Sequence, residues 1–180
     1  GSAEHPRTCS YCYASKIATR FAGSKAFPHG FAPTWHPERL NEPLKLRKPS
    51  RIFAGSMTDF FGDWVTHEQL DQVLEVIAAC PQHTFYMLTK QPQNIMAKLY
   101  EVTAEFPIRE LGGGDYLPNL WLGASVDTQA RAEASHSPMQ AVKAAGWRTF
   151  VSVEPMLTYV DSHLLTWADW LIIGSQRGTG

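Results

Sequence analysis

Five short apolar runs, separated by helical stretches, constrain this chain more than any other feature. They cover residues 51–56, 84–88, 120–126, 149–153 and 170–173. Their centres are almost continuously apolar, as in strands of a parallel sheet covered by helices. Thr66 caps a helix over about 67–79, with Leu70, Val73, Leu74 and Ile77 on one face and Glu68 and Gln69 in its first turn. Pro92 opens the next helix, which carries Ile95, Met96 and Leu99. A third runs to about Ala145 and stops at Gly146, and a short one near 161–165 precedes the fifth run. The alternation predicts an α/β fold: a parallel-stranded, barrel-like sheet whose strand ends face one shared site.

Ahead of the first run, residues 12–22 read as a helix with Ile17, Ala18 and Phe21 as its apolar stripe and Gly23 as its stop. Residues 23–50 are rich in Pro and Gly and read as mostly irregular, with a helical turn at His36-Pro37-Glu38-Arg39-Leu40. Residues 101–119 give the weakest pattern, and Gly112-Gly113-Gly114 reads as a flexible loop. No internal repeat or domain boundary is visible, so one partial-barrel domain over 1–180 is expected.

At 180 residues, 44% apolar, 18% charged and with a formal charge of -1, the chain has an ordinary soluble profile. That balance does not indicate nucleic acid as the main partner. No apolar run reaches bilayer-spanning length and nothing resembles a signal peptide, which implies a cytoplasmic protein with no membrane partner. Gly1-Ser2 reads either as an expression scar or as the start of a chain that has lost its true beginning. Three cysteines, Cys9, Cys12 and Cys80, are an odd count that disfavours a disulfide scaffold.

In parallel α/β folds, ligands bind beyond the carboxyl ends of the strands. Here those ends carry Ser56 and Asp59, then Thr89 and Lys90, then Ser125 and Asp127, then Ser152 and Glu154, and finally Gly174, Ser175 and Gln176. Plain helix capping and loop polarity account equally well for any one of them. Lys90 and Glu154 stand out because each lies within a residue or so of a buried strand, where an unpaired charge is costly. Two readings stay open for them: a structural ion pair, or contacts to a ligand's carboxylate and amine.

The segment Cys9-Ser10-Tyr11-Cys12-Tyr13-Ala14 leads straight into the first helix. Two thiols at this spacing suit zinc, iron or a redox dithiol. A dithiol of the thioredoxin kind follows a strand, and none is predicted here. His5 is a neighbouring potential ligand, whereas Cys80 reads as a buried small hydrophobe at the opposite end of the sheet. Tyr11 and Tyr13 serve either to cover a cofactor or to anchor the loop.

The same cysteine segment resembles the cluster loop of radical S-adenosylmethionine (radical SAM) enzymes. Further blocks resemble the phage Gp37/Gp68-like family: His36-Pro37-Glu38-Arg39-Leu40, residues 51–61, Pro81-Gln82-His83-Thr84-Phe85, Leu88-Thr89-Lys90-Gln91-Pro92, residues 118–126 and residues 150–157. Their order and spacing carry the resemblance over nearly all of the chain. It implies an incomplete (β/α) TIM-like barrel of the radical S-adenosylmethionine type and a metal-binding [4Fe–4S] iron–sulfur cluster held by three cysteines. S-adenosyl-L-methionine would take the fourth iron position. Reduction of its sulfonium by an external electron donor would yield methionine and a 5′-deoxyadenosyl radical, acting on a small-molecule or macromolecular substrate that is unknown. Cys9 and Cys12 carry over as metal ligands. The family's first cysteine falls on Ser2, and the spacing of general radical enzymes falls on His5, so the third ligand does not carry over. The first barrel strand and a C-terminal portion are also expected to be missing. Tyr11, Ser56, Asp59, Ser125, Asp127 and Ser152 are implied near the cofactor, and Lys90 and Glu154 at the catalytic centre. The alternatives are a non-catalytic β/α binding module of phage or prophage origin and a zinc-stabilised, nucleic-acid-associated protein.

Overall fold

The computed structural model describes residues 12–105 and 117–174. The chain divides into two compact units, residues 1–38 and 39–180. In the first, helix α1 (Tyr13–Arg20) starts at Cys12, whose sulfur accepts the Ser15 N–H at 3.4 Å. The cysteine is thus the N-cap of α1, a position otherwise favoured by Ser, Thr, Asp or Asn. Ala14 and Ala18 are its buried residues, whereas Ile17 and Phe21, expected in the apolar stripe, are exposed.

The second unit holds five strands: β1 (Arg51–Ala54), β2 (Thr84–Thr89), β3 (Leu120–Ser125), β4 (Arg148–Val153) and β5 (Trp170–Ile173). They pair in sequence order and every pair is parallel. Three helices connect the first four strands: α2 (His67–Ala78), α3 (Ile95–Glu105) and α4 (Gln129–Ala144). A 3-10 turn, Ser162–Leu165, lies between β4 and β5. Right-handed crossovers between strands that pair in chain order put α2, α3 and α4 on one face. The other face is left concave, and the sheet is a curled half-barrel.

Each helix has a local cause. Thr66 and Gln69 form a reciprocal capping box at the start of α2, satisfying two otherwise orphaned N–H groups. Pro92 begins a 3-10 turn that runs directly into α3. Thr128 caps α4, and Gly146, at φ 87°, turns the chain towards β4.

The pleat sorts the strand side chains by parity. Phe85, Met87, Leu120, Leu122, Val151 and Val153 are buried on the helix side with Leu70, Leu74, Ile77, Ile95, Met139 and Val142. Burying each such side chain contributes about 1.5–3 kcal/mol relative to exposure. Residues of the other parity, from Tyr86 and Leu88 to Phe150 and Ser152, form the concave face. The amino ends of β1 and β2 are tied by His83, which is fully buried. Its Nδ1 accepts the Ser50 N–H at 3.2 Å, which leaves Nε2 to donate to the Pro43 carbonyl at 3.2 Å.

Residues 106–116, including the expected Gly112–Gly114 loop, lie outside the described residues. No described helix is long and apolar enough to cross a membrane.

Candidate functional site

Two layers build up the concave face. Near the amino ends of the strands, four rings meet edge to face or tilted. Tyr86 lies 5.9 Å from Trp121, 5.7 Å from Phe150 and 5.5 Å from Trp170, centroid to centroid. Arg148 stacks over Trp121 at 5.8 Å. Gly123 makes this packing possible: a Cβ there would stand 2.5 Å from the Phe150 ring. The Trp121 Nε1–H is buried and has no acceptor among the described residues.

Above the rings, the strand tips turn polar. Lys90 Nζ donates to Ser125 Oγ at 3.1 Å across the β2–β3 boundary. Ser152 is the register partner of Ser125 on β4 and is mostly buried. Glu154 continues the same face, lying against Gly174, where a Cβ would come within 2.6 Å of its Oε1. Among the described residues Glu154 has no hydrogen bond or ion pair. A Lys90–Glu154 ion pair, one of the two open readings, is not formed; the two residues follow strands two places apart, about 10 Å of sheet width. Of the two readings the sequence left open for them, the structural ion pair is therefore the one that drops out.

A cleft of about 320 Å³ on this face is bounded by Phe53, Tyr86, Leu88, Phe150, Trp170 and Ile172, with Arg51 as its cation and Glu154 as its anion; Lys90 and Ser125 are not part of its lining. Ser152 supplies a hydroxyl in the same wall. A space of this size and composition, largely apolar with a few polar groups, suits one small ligand or one segment of a larger one.

Several predicted residues have their side chains committed elsewhere. Asp59 accepts from Thr89 Oγ1 at 2.9 Å, the Lys90 N–H at 2.9 Å and the Phe61 N–H at 3.0 Å. Burial pushes its pKa up, against the lowering effect of these donors. Asp127 is nearly buried and pairs with Arg131 Nε at 2.8 Å, one turn along α4. Ser56 is exposed in the turn after β1. Cys9 and Tyr11 lie outside the described residues, as do Ser175 and Gln176. Cys80 is fully buried behind α2, its carbonyl accepting from Asn119 Nδ2 at 3.1 Å just before β3, so it sits at the amino end of the sheet as expected. Among the described residues no three His, Cys, Asp or Glu side chains gather closely enough to hold a metal ion.

The ring layer and Arg51 were missed by the sequence reading. The signal was present as alternation inside the apolar runs: Tyr86, Leu88 and Lys90, then Trp121, Gly123 and Ser125, then Phe150, Ser152 and Glu154.

The class defined by this fold is an α/β protein with a five-stranded, all-parallel half-barrel sheet, whose concave face carries an aromatic-floored cleft running from the amino ends of β1 and β5 to the carboxyl end of β4. The chain belongs to the family described as "Protein of unknown function (DUF5131)", whose model matches residues 1–180. No curated protein and no solved structure matches it.

Proposed function

We propose that this protein is a [4Fe–4S]-cluster-dependent, S-adenosylmethionine-dependent radical enzyme of the phage Gp37/Gp68-like kind. The observation that supports the reading is the all-parallel half-barrel, in chain order, with Lys90 donating to Ser125 at the tips of β2 and β3 and with Ser152 and Glu154 in the wall of the cleft at the tip of β4. The Cys-x-x-Cys segment before α1 supports it independently, since thiolates at this spacing suit iron. The donor set is one thiolate short of a three-cysteine cluster site: Cys9 and Cys12 are two ligands, and Cys80 is buried in the hydrophobic layer. In this reading Lys90 and Glu154 orient a substrate, with Ser125 and Ser152 as hydroxyl partners.

Anaerobic expression of the full-length gene product, with iron and sulfide measured per chain, tests the proposal. A brown protein that converts S-adenosylmethionine to 5′-deoxyadenosine under reduction is expected. The count of two cysteines favours one second reading, a β/α binding module without a cluster, and a colourless, metal-free protein would establish it. Zinc without iron would point instead to a zinc-stabilised, nucleic-acid-associated protein.

A further inference from the structure

The formal charge of -1 averages over a local separation. Residues 43–51, Pro-Leu-Lys-Leu-Arg-Lys-Pro-Ser-Arg, hold four cations and no Asp or Glu. Lys45, Arg47, Lys48 and Arg51 are all exposed, and none has an acidic partner among the described residues. The loop carrying the first three is held at both ends by one side chain: His83 donates to the Pro43 carbonyl and accepts from the Ser50 N–H. Thr84 adds a second tie, its N–H donating to the Ser50 carbonyl at 2.9 Å. A loop pinned in this way has already lost much of the entropy that binding would otherwise cost it.

The basic loop runs directly into the cleft. Arg51, its last cation, is the first residue of β1 and part of the cleft wall, followed on the same face by Phe53, which is 49% exposed. Trp170, on the far side of the cleft, is 43% exposed. A row of cations leading onto exposed rings is the arrangement that holds single-stranded nucleic acid, in which phosphates meet the cations and unstacked bases lie on aromatic faces. Four cations over seven residues span at most about 20 Å of extended chain, room for several phosphates rather than one. The acidic cleft wall at Glu154 lies beyond the rings, where it opposes a phosphate and can accept from a base amino group.

We propose that this face binds a single-stranded nucleic acid, with its phosphates along Lys45, Arg47, Lys48 and Arg51 and bases on the Phe53 and Trp170 rings. The inference uses none of the cysteines and stands apart from the cluster reading, which iron analysis tests separately.

The test is fluorescence anisotropy of the full-length protein with a labelled 12-nucleotide single strand, over a salt series starting near about 50 mM. Binding should weaken with salt and quench tryptophan emission. The variant K45E/R47E/K48E, altered only on an exposed loop, should bind at least about tenfold more weakly, with a log–log salt slope shallower by about 2. Trp170→Leu and Phe53→Leu, checked for unchanged urea midpoints, should each weaken binding roughly fivefold or more, and Trp170→Leu should reduce the quenching. The proposal is overturned by an absence of binding at the lowest salt, or by equal affinity in the loop variant. Tighter binding of the corresponding duplex would also overturn it. So would displacement by heparin together with unchanged affinity in both ring variants, because that result describes a generic polyanion surface.

Discussion

Asp59 Oδ2 accepts the backbone N–H of Lys90 at 2.9 Å, so the loop after β1 fixes the tip of β2 and the direction in which Lys90 leaves it. The other two donors to this carboxyl, the Thr89 hydroxyl and the Phe61 N–H, complete a junction that spans both elements. An aspartate that looks in the sequence like a cofactor contact thus acts on the site through Lys90.

The Asp59 junction has a pH signature. Its folded pKa is raised above the ordinary carboxylate value, mainly by burial. The neutral form is therefore favoured by folding, and the associated stability is present below the unfolded pKa of about 3.9 and lost as pH rises through the folded value. Relative to Asp59→Asn, the wild-type protein should gain stability as pH falls across that window, read from urea midpoints. An unchanged difference across the window would show that Asp59 titrates normally. At neutral pH Asp59→Ala should cost about 1–3 kcal/mol, because buried donors at Thr89 and Phe61 lose their acceptor.

His83→Ala should destabilise the second unit by about 3 kcal/mol, combining a cavity at a fully buried site with the stranded Ser50 N–H and Pro43 carbonyl. Hydrogen exchange should speed up at Ser50 and along residues 43–50 well before it does in β3. Uniform acceleration throughout the sheet would count against a local clamp.

Gly123→Ala should cost about 1–3 kcal/mol, because the new Cβ would overlap the Phe150 ring, which is itself buried against neighbouring rings. The double variant Gly123→Ala with Phe150→Leu should recover part of that loss. A double-mutant cycle with no coupling would refute the steric account.

Cys12→Ala separates the local structural role of this sulfur from metal binding. Loss of its weak N-cap bond to Ser15 should cost α1 at most about 1 kcal/mol, while iron content should collapse if the cluster reading holds. Full iron retention in the variant would remove Cys12 as a ligand.

Lys90→Met removes a partly buried bond to Ser125 at an exposed position, so stability should change by less than about 1 kcal/mol. Reductive cleavage of S-adenosylmethionine or substrate turnover should fall at least about tenfold if Lys90 orients a bound group. Unaltered turnover would confine Lys90 to a structural role.

Much of this architecture was legible without coordinates. All five strands, the helices between them and their parallel pairing follow from apolar runs of strand length, the Thr66 cap and the Gly146 stop. These are local effects: hydrophobic periodicity and capping depend on residues a few positions apart, so the sequence alone determined them. The ends differed by one or two residues, as at β1, which stops at Ala54, because Gly55 at φ 78° begins a turn.

Tertiary structure alone decided how the site is divided between binding and support. Lys90 meets Ser125 35 positions away, Asp59 meets Thr89 30 positions away, and Glu154 is left without a partner among the described residues. Each strand tip carries polar groups in the sequence, but whether a group faces the cleft or a neighbouring loop depends on pleat parity and on register with adjacent strands. The ring floor arises in the same way: Tyr86, Trp121, Phe150 and Trp170 come from four separate runs and meet only because the sheet curls and places them on its concave face. Contacts of that range are set by strand pairing, which no short window of sequence encodes.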